Sequence, residues 1–218
     1  MASSEVDEKI GEVKFNFRVM HDAFAASLLE DDDVEMDNYL LAYKELYNFF
    51  MSMGKVFGFV ASDVKSKIEI LEEFRKNDTE DNFKSLKTMI NHEKSNNLLK
   101  KSDYTSGSRT LLRLHRGLDF FRVFMGKLSD LRDEDKTHSA CQDAYNSTLA
   151  KFHPWIVRKG AVVAMYALPT RAVLMQKVCR PDEVQQALDI LPKMLQSAGE
   201  VYDRTEKCYT EHDLHDLP

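Results

Sequence analysis

Asp63 and Lys67, four residues apart in Asp63-Val-Lys-Ser-Lys67, place an acid and a base on one side of a helix. At roughly 100° per residue, Val60, Val64, Leu71 and Phe74 fall on or near that same side, so two charges lie within an apolar stripe. A charge in such a place must pair with its opposite or meet a polar ligand group, because desolvating it unpaired is expensive. The spacing also describes an ordinary i,i+4 salt bridge at the edge of a core. Arg109, Arg113 and Arg116 recur at i, i+4 and i+7 and align three guanidinium groups, forked donors that fit phosphate oxygens. Leu111, Leu114, Leu118, Phe121 and Met125 define an apolar face roughly opposite, and that pattern equally suits a solvated basic stripe.

His153-Pro154-Trp155 sets an imidazole at a helix end, with the single tryptophan two residues on. A lone histidine is as readily structural as functional. Trp155 with Arg158 and Lys159 has the composition of an anchor at an anionic headgroup layer, since indole is amphipathic and the cations favour anionic lipid. The stretch from residue 49 to 60 concentrates more large apolar side chains than one helix needs for packing. It makes Phe49, Phe50, Met53, Phe57, Phe59 and Val60, with Val64, candidate walls of a hydrophobic pocket. Plain core is the alternative for such a stretch.

Catalytic patterns find little support. His92-Glu-Lys-Ser-Asn96 lacks the second histidine of a zinc protease helix, and there is neither a GxSxG motif nor a glycine-rich phosphate loop. Cys141, Cys179 and Cys208 are far apart and odd in number, which fits reduced thiols rather than a disulfide framework or a zinc site. The expectation is a binding protein, not an enzyme, with no metal and no cofactor.

The elements that must hold these residues read as helices. Eight Gly and five Pro among 218 residues leave room for long uninterrupted ones. Apolar spacing predicts helices over about 8–29, over 37–53 with Asp37 as cap and Gly54 as its end, over 56–74, 81–100, 109–128, 137–153 and 155–168, and over 182–209 with a kink at Pro192. Asp31-Asp32-Asp33, 102–108 and 130–136 read as loops, and Pro154, Pro169 and Pro181 as breaks. The chain is expected to be all-α, a single domain over 9–218 preceded by a short extension over 1–8.

A net charge of −6 argues against a general nucleic-acid binder, though not against a local basic patch. No apolar run approaches the roughly 18 to 20 residues that span a bilayer, and the opening residues lack the basic-then-apolar order of a secretory signal. A cytosolic location follows as an expectation, and the glycosylation patterns at Asn77 and Asn146 are discounted with it.

Taken in order, the segments 59–67 with Asp63 and Lys67, 109–116 with Arg109 and Arg113, and Phe152-His153-Pro154-Trp155 resemble the glycolipid transfer protein family. The similarity covers about residues 9–218, including the closing Leu217-Pro218. It implies a two-layer helical sandwich around an apolar lipid pocket, and movement of an unaltered sphingolipid between membranes. By that resemblance Asp63 accepts from the sphingoid amide and hydroxyl, His153 donates to the acyl-amide carbonyl, and Lys67, Arg109 and Arg113 hold a phosphate. Sugar-binding members carry Asn in place of Lys67 and Trp in place of Arg113, so the implied cargo is ceramide-1-phosphate. Transfer of a glycosphingolipid, a lipid-sensing helical scaffold and an enzyme acting on the bound lipid are the alternatives. The resemblance further implies a monomer that attaches peripherally to Golgi, endosomal and plasma membranes.

Overall fold

The computed structural model describes residues 14–218. Within them run nine α-helices and no β-strand beyond isolated bridge pairs: α1 Phe17–Ser27, α2 Met36–Ser52, α3 Gly58–Asn77, α4 Leu86–Ser95, α5 Gly107–Ser129, α6 His138–Ser147, α7 Trp155–Tyr166, α8 Arg171–Val178 and α9 Val184–Glu211. The expected 1–8 extension and residues 8–13 of the first predicted helix lie outside the described part.

The helices form two layers. In one, α9, α1, α2 and α3 lie side by side in that order; α5 crosses them, packing on both α9 and α3, and α6 and then α7 continue the second layer. Aromatic rings tie the layers together: Phe49 of α2 meets Phe121 of α5 edge-on at 5.2 Å, and Phe15 touches both. Rings of this size bring large buried area and a further edge-to-face preference.

Local chemistry sets the helix ends. Asn16 caps α1 by accepting from the Arg18 and Val19 amides, and Ser85 forms a reciprocal capping box with Thr88 at α4. At α2 the cap is Glu35, whose carboxylate accepts from the Asp37 and Asn38 amides, not Asp37 as the sequence suggested. Asp37 instead makes a bidentate pair with Arg75 at 2.9 Å per bond, and that bond holds its carboxyl below the usual range. Gly54, at φ 101°, ends the α2 region as expected.

Three other boundaries differ from the periodic reading. Residues 78–85 form a turn, so the helix expected from 81 begins only at Leu86, because the Asp78 carboxylate collects the Glu80, Asn82 and Phe83 amides while Asp81 takes a left-handed φ of 59°. The sixth predicted helix stops at Ser147, short of Pro154, with a single 3₁₀ turn over Ala150–Phe152. Helix α8, between Pro169 and Pro181, was not anticipated; it has only eight residues and almost no sidedness, yet it buries Leu174, Met175 and Val178. Helix α9 runs through Pro192, which is exposed. Among the described residues no helix is long and apolar enough to cross a membrane.

Candidate functional site

A cavity of about 720 Å³ lies between the two layers. Its apolar wall takes Leu46 and Phe50 from α2, Val60 and Val64 from α3, Leu114 and Phe120 from α5, Cys141 from α6 and Met165 from α7. Its polar lining gathers Asp63, Lys67, Arg113, Arg116, His153 and the main chain at Pro218. The amphipathic faces explain this grouping. Helices α3 and α5 each turn an aliphatic stripe inward, and the charged residues flank those stripes where the wall meets solvent.

On α3, the Lys67 ammonium donates to the Asp63 carboxylate at 2.5 Å. The lysine side chain is only 14% exposed and the aspartate 67%, so the lysine stem lies along the wall while the carboxylate stands out. On α5, Arg113 is exposed and donates to the main-chain oxygen of Pro218 at 3.1 Å. Arg116, half-buried, stacks its guanidinium 4.0 Å over the Phe152 ring and donates to the His215 carbonyl at 2.7 Å. Burial, and then the neighbouring Arg113 charge, push the Arg116 pKa down. Two cations held side by side in this way favour an anion between them.

His153 follows the short 3₁₀ turn after α6. Its Nδ1 lies 2.8 Å from the Tyr145 hydroxyl, and burial holds its pKa below the ordinary 6.5 despite the nearby Asp63 carboxylate. The ring is therefore neutral near pH 7. In the tautomer whose Nδ1 accepts from the tyrosine, the ring proton sits on Nε2, where it can be donated to a ligand oxygen.

The start of α5 is fixed from beneath. Glu93, fully buried on α4, accepts from the Ser106 hydroxyl and the Gly107 amide at 2.7 Å and from the Ser108 amide at 2.9 Å. The Ser106 oxygen in turn caps α5 by accepting from the Arg109 amide. A carboxylate among the free amides of a helix N-terminus is stabilised by hydrogen bonding and by the helix dipole. It anchors the helix that carries the arginines.

Four of the five proposed headgroup residues thus meet at one cavity. Arg109 does not line it; one turn before Arg113, its guanidinium is engaged by the carbonyls of Tyr104 and Lys101. Of the proposed apolar wall, Phe50, Phe57, Phe59, Val60 and Val64 line the cavity. Phe49 is consumed by the ring cluster with Phe15, Phe50 and Phe121, and Met53 is buried at the end of α2 away from the cavity lining. Sequence reasoning missed Tyr145, the partner of His153, since nothing local marks a tyrosine eight residues upstream. It noted Arg116 without assigning it a place, and it gave the C-terminal residues no role.

The sequence profile described as Glycolipid transfer protein (GLTP) matches residues 34–180, about two thirds of the chain. The chain belongs to the glycolipid transfer protein family. Within that family it is 38% identical over 212 residues to a ceramide-1-phosphate transfer protein of Xenopus laevis, covering 95% of this chain and 98% of the relative. The crystal structure of the mouse ceramide-1-phosphate transfer protein in its apo form superposes with a TM-score of 0.87 at 37% identity, covering 94% of this chain and all of that one. The human protein, crystallised with 12:0 ceramide-1-phosphate, gives 0.83 at 36% identity over the same shares. The glycolipid transfer protein fold is thus shared throughout, with the two helical layers described above.

Proposed function

We propose that this chain carries ceramide-1-phosphate between membranes without altering it chemically. The observation that supports this most directly is one cavity whose depth is aliphatic and aromatic and whose rim gathers Asp63, Lys67, Arg113 and His153. A phosphate fits between Lys67 and Arg113; the Asp63 carboxylate accepts from the amide and hydroxyl of the sphingoid base; His153 donates to the acyl carbonyl. Arg109, one turn from Arg113, adds positive potential rather than a direct wall contact.

Energetics favour such a division of labour. Moving about 30 methylenes out of water is worth some 24 kcal/mol at roughly 0.8 kcal/mol each, yet the donor bilayer supplies nearly the same benefit. The pocket has only to match the membrane. Selectivity then falls to the polar end, where a charge-assisted hydrogen bond contributes roughly 1.5 to 3 kcal/mol.

Membrane attachment has a matching surface. Trp155, 63% exposed, opens α7, and Ile156, Val163 and Tyr166 follow it outward, with Phe59 and Phe152 exposed near the rim. Lys151, Arg158 and Lys159 are exposed among them, and the Lys159 ammonium lies 5.8 Å from the Trp155 ring. Exposed apolar residues interleaved with cations suit an anionic leaflet. We propose peripheral docking through this face by a monomer working from the cytosol on Golgi, endosomal and plasma membranes.

The decisive experiment compares vesicle-to-vesicle transfer of fluorescent ceramide-1-phosphate with that of fluorescent glucosylceramide, followed by mass analysis of the recovered lipid. Rapid transfer of the phosphorylated lipid alone, recovered intact, is expected. Preference for the sugar lipid, or a cleaved product, would overturn the proposal.

A further inference from the structure

The C-terminal segment occupies part of the headgroup rim, and its path is built rather than accidental. Helix α9 ends in a two-bond C-terminal cap. The Leu214 amide donates to the Tyr209 carbonyl at 3.0 Å and the Asp213 amide to Thr210 at 3.1 Å, with Asp213 in the left-handed region at φ 55°. That cap reverses the chain. Leu214 and Leu217 are then buried, at 5% and 4% exposure, the Leu217 amide donates to the Leu214 carbonyl, and the His215 ring meets the Thr210 hydroxyl at 2.9 Å. The segment delivers two main-chain oxygens to the arginines: His215 to Arg116 at 2.7 Å and Pro218 to Arg113 at 3.1 Å.

The two contacts differ in kind. Arg116 is half-buried and also stacked on Phe152, so its bond to His215 belongs to a fixed scaffold. Arg113 and Pro218 are both exposed, and both line the cavity. Pro218 has no amide proton with which to hold its place; Leu217, one residue earlier, supplies the anchor.

We propose that residues 216–218 are an autoinhibitory strap, in which the Pro218 oxygen stands in for a phosphate oxygen on Arg113 and must be displaced when a phosphate headgroup arrives. This rests on the reading of the rim as a phosphate site. A phosphate offers the guanidinium more negative charge and more acceptor oxygens than the one Pro218 oxygen that holds it here, so it displaces that oxygen at a modest cost. A headgroup without a phosphate makes no claim on Arg113, so the strap taxes the phosphorylated lipid by a small, fixed amount and leaves an uncharged one unaffected.

The test uses the full chain with soluble short-chain (2:0) ceramide-1-phosphate, and short-chain ceramide as its uncharged control. Removing residues 216–218, or releasing the anchor with Leu217→Ser, should tighten binding of the phosphorylated lipid about three- to tenfold, as expected for an exposed competing bond, and leave ceramide binding unchanged. In the unaltered protein, amide exchange at residues 215–217 should quicken on adding the phosphorylated lipid and not on adding ceramide. Unchanged or weaker phosphate-lipid binding in the released variants, or slower exchange on loading, overturns the strap. Arg113→Gln separates the two levels. If it leaves phosphate-lipid binding intact, the rim is not a phosphate site and both readings fail; if it abolishes the preference while strap release does nothing, only the strap fails.

Discussion

Replacing Asp63 by Val removes the carboxylate that α3 presents at the cavity rim, and the structure separates its effect on folding from its effect on cargo. The Asp63 side chain is two-thirds exposed, and its ion-pair partner among the described residues, Lys67, lies one helical turn away. Pairs of this type contribute at most about 1 kcal/mol to stability. Lys67 keeps a contact to the Asp63 carbonyl at 3.5 Å in either case, so the urea midpoint should move little. Cargo is another matter. Two charge-assisted bonds, to the amide and hydroxyl of the sphingoid base, amount to about 3 to 6 kcal/mol, or roughly 10²- to 10⁴-fold in affinity. The assay is transfer of fluorescent ceramide-1-phosphate between vesicles, alongside circular dichroism and urea unfolding of the same samples. Near-complete loss of transfer in a helical, cooperatively unfolding protein is expected, with Asp63→Asn intermediate. Transfer within about threefold of the parent would refute the assignment.

Trp155→Ala should weaken partition onto anionic vesicles about tenfold, from the lost burial of a large side chain, while the parent's tryptophan emission shifts to the blue on the same vesicles; no shift would place docking elsewhere. Acidification should destabilise the protein from about pH 6.5 downward. Burial lowers the folded-state pKa of both His115 and His153 from 6.5, so over that window the unfolded chain binds more protons; a urea midpoint that holds or rises between pH 7.5 and 5.5 would contradict this. Glu93→Ala should cost on the order of 3 kcal/mol or more by stranding donors at the start of α5 at about 1 to 3 kcal/mol each, measured as a fall in the unfolding midpoint; a change below about 1 kcal/mol would show that water replaces the carboxylate.

Much of this molecule was readable from residue spacing, and the failures share a cause. The i,i+4 pair on α3 and the arginine stripe on α5 are local patterns, and their faces follow from helical geometry alone. What brings them to one cavity is the crossing of α5 over α3, a tertiary fact with no local signature. Each motif is divided in the structure. Arg109, in the same stripe as Arg113, is spent on carbonyls, and Phe49, in the same apolar run as Phe50, is spent on packing. The pocket wall and the core are made of one kind of residue, so composition could not divide them. Boundaries slipped where a side chain from outside the helix set the end, as Asp78 does over 78–85, and α8 escaped notice because eight residues give too little periodicity to read.

One consequence of the crossed layers bears on how the protein handles cargo. Lys67 and Asp63 belong to one sheet of helices and Arg113 to the other, so a bound headgroup would act as a clasp between the two leaves, on the side of the rim away from the bonds that His215 and Pro218 make to the arginines. Occupancy and cohesion would then be linked, a loaded headgroup adding a tie between the layers that the empty rim lacks. A shuttle made this way would loosen where it must exchange lipid and tighten for the journey through water.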